Sequence, residues 1–186
     1  VSLVVTSFYT DTWEYPAHAE RLRAECDALG LGHHIVERPD AGPYLANCRQ
    51  KPVHLLETLR ALGRPLLWVD VDGSIVRAPE DMDGVDFAGV RMAPDRDRAW
   101  HVGTMYFGAT EAAEALLRLW VRALDSETSD EAAFDRAWRS GRWRGEVRAL
   151  PPRYMACGRW ANVYDPVVVH RTSCSQAKRA FRRQGA

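Results

Sequence analysis

The sequence predicts an α/β fold, with a mixed, mostly parallel sheet flanked by helices. Three observations carry this expectation. Short apolar or β-branched runs alternate with longer helical stretches, in the order strand, helix, strand, helix, strand, before Asp70. Gly30 and Gly63 stand just past the two helical stretches, where chains commonly leave a helix. The third apolar run, "LLWV", then ends in Asp70, Val71, Asp72 and Gly73, a polar tip on a buried strand.

The elements follow in order. Residues 1–8 are β-branched and apolar, a first buried strand. Residues 15–29, "YPAHAERLRAECDAL", carry Ala, Leu and Cys at helical spacing. Residues 34–37 form a short second strand. Residues 52–62, "PVHLLETLRAL", read as an amphipathic helix with proline in its first turn. Residues 66–69 are the third strand. Beyond Asp72 the rhythm changes: 74–76, 86–92 and 104–107 are strand candidates, and the polar 93–102 segment is expected to be a loop. Residues 111–124, "EAAEALLRLWVRAL", form the clearest helix. Ser129 precedes another, 130–141, as an N-cap, with acids in its first turn. The segments "EVRALPPRYM" and "DPVVVHR" are two further strand candidates, and the chain closes on a basic tail.

The 186 residues are expected to form one domain with a sizeable core. Hydrophobic residues make up 46% and charged residues 27%, an ordinary globular balance. No apolar run approaches the roughly 20 residues of a membrane span, and the start lacks the basic region of a secretory signal. The four cysteines show no CxxC pairing. A cytoplasmic location with free thiols is therefore expected. The net charge of zero hides a split. Residues 1–135 hold 13 Lys and Arg against 23 Asp and Glu, and residues 136–186 hold 12 against 2. Two readings stay open: a polyanionic partner, or two ends that fold together and neutralise each other.

In an extended segment, residues i and i+2 point the same way, so Asp70 and Asp72 are expected to converge beyond the carboxyl end of a strand. Ligands of open α/β sheets bind there, and hard carboxylate oxygens suit Mg²⁺ or Mn²⁺ beside phosphate. A competing reading makes Asp70 the nucleophile of a phosphohydrolase, since "WVDVDGSIV" resembles the haloacid-dehalogenase motif. That family usually carries its motif on the first strand, whereas here two strands and two helices precede it.

The order of features resembles the nucleotide-diphospho-sugar transferases of the GT-A fold, a Rossmann-like architecture. The matching segments are "VVTSFYT", "NCRQKPVHLLETL", "PLLWVDVDGSIVRAP", "VGTMYFGAT", "SDEAAFDRAW", "ALPPRYM" and "VVVHRTSCSQAKR". Together they run through nearly the whole chain. Glu131 stands where the family often has Gln, and Ser173 or Cys174 stands near its usual late glycine.

The resemblance implies a metal-dependent enzyme. It would move a sugar from a nucleoside-diphosphate sugar to an acceptor hydroxyl. Donor binding is expected at about 1–92, the acceptor side at about 93–160, and a last strand and tail at about 161–186. Asp70, Asp72 and His170 are the implied ligands of Mn²⁺ or Mg²⁺. Thr6, Ser7 and Tyr9, at the end of the first strand, would cradle base and ribose. Arg49 and Lys51 would reach the donor nucleotide or its phosphates, and Lys178 would offset the leaving diphosphate. Asp130 and Glu131 would act on the acceptor hydroxyl, as base if configuration is inverted and as orienting groups if it is retained. Gly103 would let backbone approach the sugar, and Trp100 would stack on the acceptor. Loop 93–102 would close over the donor. The arginines and aromatics interleaved over 136–160 make DNA, through hydroxymethylated bases, a candidate acceptor. A non-catalytic nucleic-acid-binding module on a transferase fold is the alternative outside enzymes. No membrane partner is expected, and the oligomeric state stays open.

Overall fold

In a computed structural model, residues 2–92, 98–157 and 163–170 are described. Among the described residues, eight strands and five α-helices succeed one another: β1 Val4–Tyr9, α1 Tyr15–Ala28, β2 Gly32–Glu37, α2 Tyr44–Cys48, α3 Gln50–Leu62, β3 Leu66–Val69, β4 Gly73–Ile75, β5 Phe87–Arg91, β6 Trp100–Phe107, α4 Glu111–Ala123, α5 Asp130–Arg139, β7 Val147–Leu150 and β8 Val168–His170. Six strands form one sheet in the order β2-β1-β3-β6-β5-β7, and β4 pairs with β8 in a small second sheet. Within the large sheet only β6 runs against the others. The predicted mixed, mostly parallel α/β architecture is the one observed.

Both faces of the sheet are covered. On β1, Val4 and Phe8 face the side of α3, α4 and α5, while Val5 and Tyr9 face the side of α1. The first side is built around Leu55, Trp68, Phe87, Phe107, Leu117, Trp120 and Phe134. Burial on two faces explains why β3 reads as an unbroken apolar run rather than an alternating one.

Several boundaries differ from the sequence reading. The helix predicted from Pro52 begins at Gln50 and is preceded by α2, a short turn of helix with no apolar periodicity to announce it. Strand β6 extends back to Trp100, so part of the expected 93–102 loop is sheet; residues 93–97 lie outside the described residues. Trp100 is corrected by this: its side chain is not a platform on a loop but is 3% exposed in the core. Its ring meets Phe87 edge-on at 5.2 Å and Trp138 at 5.1 Å. A ring enclosed in this way has no open face for an acceptor.

Candidate active site

The tip of β3 is a turn rather than a continuing strand. Gly73 N donates to the Asp70 carbonyl at 2.7 Å, closing an i to i+3 turn over Asp70–Gly73. The two aspartates therefore converge because the chain turns, not because it stays extended. Helix α1 holds the turn from one side: an Arg21 guanidinium nitrogen donates to the Gly73 carbonyl at 2.9 Å, and Glu25 accepts from Ile75 N at 2.9 Å. A Cβ at residue 73 would lie 2.9 Å from both the Asp70 carbonyl oxygen and Val69 Cγ1, so glycine is needed for this close approach.

Two other chain segments complete the site. Antiparallel β6 sets Thr104 opposite Val69, and Asp70 N donates to the Gly103 carbonyl at 2.9 Å. Antiparallel β8 sets His170 opposite Gly73. As a result, Asp70, Asp72 and His170 bring one ligand atom each within 4.8 Å of one another. Asp72 and His170 are buried at 4% and 5% exposure, while the Asp70 side chain keeps 29%. Thr104 Oγ1 lies 2.7 Å from His170 Nε2 and restrains the ring. His101, which the sequence reading passed over, packs edge-on against His170 at 5.0 Å. A Cβ at residue 103 would fall 2.5 Å from His101 Cε1, 2.9 Å from His170 Cε1 and 3.1 Å from Asp70 Oδ2. Gly103 thus keeps clear the space where these groups meet. Two carboxylates and one imidazole match the donor set expected of a Mn²⁺ or Mg²⁺ site.

Beside this set lies a buried ion cluster. Lys51 Nζ is 3.0 Å from Asp70 Oδ1, 2.8 Å from Asp130 Oδ2 and 3.2 Å from the Val102 carbonyl. Trp68 Nε1 donates to the same Asp70 oxygen at 2.9 Å, and the Lys51 ammonium lies 5.4 Å from the Trp68 ring centre. Burial by itself would lower the Lys51 pKa, but the Asp130 and Asp70 carboxylates outweigh it and hold the pKa above the ordinary lysine value. Cys48, nearby, is pushed up to about 12 by burial and then by Asp130, so its thiol stays protonated.

A family profile described as nucleotide-diphospho-sugar transferase matches residues 43–183. The chain belongs to the nucleotide-diphospho-sugar transferase family. Solved structures share the fold. A glycosyltransferase involved in the glycosylation of the major capsid of PBCV-1 aligns with a TM-score of 0.71 at 12% identity, over 98% of this chain and 100% of that one. GlyE, a glycosyltransferase of Streptococcus pneumoniae TIGR4, aligns with a TM-score of 0.60 at 9% identity, over 98% of this chain and 60% of its own. No curated protein matches the sequence. The phosphohydrolase reading falls with this result: the transferase is a glycosyltransferase, and its family implies a nucleotide-sugar donor.

The remaining residues singled out in the transferase sort by position. Lys178 lies outside the described residues. Arg49 does not face the aspartates. It donates to the Leu124 carbonyl at 2.8 Å and to the Glu127 carbonyl, satisfying backbone at the end of α4. Thr6 and Ser7 are fully buried, because β1 is covered on both faces. The Thr6 hydroxyl donates to the His34 carbonyl at 3.1 Å and must therefore accept from His54 Nε2 at 2.8 Å. Tyr9, half-buried at the carboxyl end of β1, keeps its place at the open end, with Arg23 5.3 Å from its ring centre.

Helix α5 separates the two acids at its start. Asp130 turns inward to Lys51, while Glu131 turns outward and pairs with Arg98. One residue of helix is about 100° of rotation, so neighbours cannot share a face. Lys51 itself was expected to reach the donor nucleotide or its phosphates. It is instead buried and engaged by two carboxylates, which neither periodicity nor the motif "RQKP" signals. His101 had a faint signal, standing one strand repeat before Gly103.

Proposed function

We propose that this transferase moves a sugar from a nucleoside-diphosphate sugar to an acceptor hydroxyl at the carboxyl end of β3, with Asp70, Asp72 and His170 as the ligands of Mn²⁺ or Mg²⁺. The observation that carries this reading is the convergence of one ligand atom from each of those three side chains within 4.8 Å beyond the carboxyl end of β3, next to a glycine that leaves room for a ligand. A divalent ion held there would supply positive charge against the negative charge that grows on the leaving nucleoside diphosphate. The chain's own groups do the rest. Thr104 holds the His170 ring in place, and Trp68 and Lys51 hold one oxygen of Asp70. Asp130, buried at the start of α5, fixes the Lys51 ammonium beside Asp70. Glu131, turned outward, takes no part. Tyr9 packs against the base at the open end of β1.

The test is thermal stabilisation by a panel of nucleoside diphosphates, with and without Mn²⁺, in wild type and Asp72→Ala. Ligands that bind the native state raise its apparent stability by mass action. One nucleotide should shift wild type only with Mn²⁺ and leave the variant unmoved. A folded wild type that responds to no nucleotide would end the reading.

For the acceptor, a DNA base, hydroxymethylated in the form first considered, is supported by charge alone. Arg98, Arg136, Arg139 and Arg142 line an open groove of about 790 Å³ along the outer face of α5, together with Glu127 and Asp135. Of the aromatics interleaved over 136–160, Trp143 and Tyr154 are buried and Trp138 packs against the core, while Trp160 lies outside the described residues. Duplex binding that weakens steeply with salt would support a DNA acceptor. Binding absent even at low salt would remove it.

A further inference from the structure

Lys51 is buried, yet it touches both halves of the site. Its side chain is 7% exposed, and an ammonium has three protons to donate. Three acceptors surround it: Asp70 Oδ1, Asp130 Oδ2 and the Val102 carbonyl. Nothing is left over for a donor phosphate unless one of these contacts is given up. On Asp70 the consequence is directional. Oδ1 takes hydrogen bonds from both Lys51 and Trp68, while Oδ2 is the oxygen nearest the space above Gly103 and His170. On the other side, Asp130 is the first residue of α5, some sixty positions later in the chain.

We infer that Lys51 is a positioning residue: it reserves Asp70 Oδ1, so that Asp70 meets the metal through Oδ2 alone, and it ties that carboxylate to Asp130 at the start of α5. This rests on the metal reading above and goes beyond it. The link gives the donor side and α5 a shared geometry, because one buried cation serves both carboxylates. Displacing Asp130 moves the ammonium, and the ammonium moves Asp70. A phosphate-binding lysine would make no such connection.

The experiment measures Mn²⁺ affinity directly, by the electron paramagnetic resonance signal of free Mn²⁺, on the full chain without nucleotide. The variants are Lys51→Met, Asp130→Asn and the double variant. Methionine keeps the length and packing of the stem but donates nothing. Partners that hold a metal ligand typically change affinity by about 10- to 100-fold when removed, so Lys51→Met is expected to weaken Mn²⁺ binding by that amount. Asp130→Asn is expected to alter the affinity about threefold or more in wild type and less than twofold in Lys51→Met, since the link is then already broken. Trp68→Phe removes the other hydrogen bond to Oδ1 and keeps every charge. It is expected to weaken Mn²⁺ binding too, and it serves if Lys51→Met does not fold.

The inference is overturned by folded Lys51→Met with Mn²⁺ affinity within twofold of wild type, and equally by strictly additive effects of the two substitutions. If Lys51→Met is unfolded, unchanged affinity in Trp68→Phe overturns it. Lost nucleoside-diphosphate binding with unaltered Mn²⁺ binding would return Lys51 to the phosphates. Wild type that binds no Mn²⁺ would overturn the metal reading itself, and this inference with it.

Discussion

At Gly103 a single methyl group would crowd the candidate site itself. Its added Cβ would be 2.9 Å from His170 Cε1 and 3.1 Å from Asp70 Oδ2, and crowding of this kind costs about 1–3 kcal/mol where neighbours cannot retreat. Gly103→Ala is expected to stay folded but to lose most of the Mn²⁺-dependent stabilisation by nucleotide. An alanine variant that responds like wild type would show that the space above Gly103 is not used. His54 makes a separate point about pH. Burial, followed by Arg38 and His34, lowers its pKa to about 3, against an ordinary 6.5. The folded protein therefore keeps this ring neutral where the unfolded chain takes up a proton. Stability from this source is complete above pH 6.5 and is lost as the pH falls toward 3, by about 2 kcal/mol at pH 5. The melting temperature should fall between pH 7 and pH 5, and His54→Gln should flatten that slope. An unchanged slope would mean that other groups set the acid response.

At the level of elements, the short connections matter more than the long helices. Ser129 Oγ accepts from Ala132 N at 3.2 Å and caps α5, the helix whose first residue is Asp130. Ser129→Ala is expected to cost about 1 kcal/mol, seen as a melting temperature lower by about 2–4 °C. A larger drop in metal-dependent nucleotide binding than in stability would indicate that the start of α5 had moved. Arg49 joins α3 to the end of α4 by donating to backbone carbonyls. Arg49→Ala should therefore lower stability by about 1–2 kcal/mol while leaving nucleoside-diphosphate affinity within twofold. A large affinity loss in a stable variant would put Arg49 back among the donor contacts. That role was read from a basic segment before a helix. The spacing was legible, but the direction of the side chain depends on α4, which lies far away in sequence. Capping at Ser129 was legible throughout, because a cap is a contact across three residues.

Across the whole molecule, the site is assembled from a strand tip in the six-stranded sheet and a two-stranded ladder beside it. Strands β1, β3 and β6 have partners on both edges and helices or chain on both faces, whereas among the described residues β4 and β8 form a two-stranded ladder, extended only by a bridge from Ala156 to Val169. Local opening follows contact density, so amide hydrogen exchange should be slowest in β1, β3 and β6 and faster in β4 and β8. Because His170 sits on β8, Mn²⁺ with a nucleoside diphosphate should slow exchange in that ladder while the central strands change little. No gain of protection there would separate β8 from the ligand site. The charge split also resolves at this scale. Arg153 pairs with Glu80 and Arg136 with Glu127, so basic residues of 136–186 meet acids of 1–135. These pairs are largely exposed and are worth about 0–1 kcal/mol each. They account for part of the neutrality without excluding an anionic partner. None of the described helices is long and apolar enough to cross a membrane.

What the sequence determined by itself was local: the alternation of strands and helices, the buried run before Asp70, the cap at Ser129 and the order of motifs that match the family. Each rests on hydrophobic period or turn chemistry within a few residues, and such signals survive without knowledge of the partner. Only the tertiary structure decided which charges meet. Reversing one strand, β6, sets Gly103 and Thr104 beside Asp70, and pairing β8 with β4 sets His170 opposite Gly73. Packing of α3 against α5 and the sheet closes Lys51 between Asp70 and Asp130. The same packing turns Trp100, Thr6 and Ser7 into core residues, although as letters they were indistinguishable from a ligand site. Which way a side chain points at the end of an element is set by neighbours remote in the chain, and no short-range pattern records them.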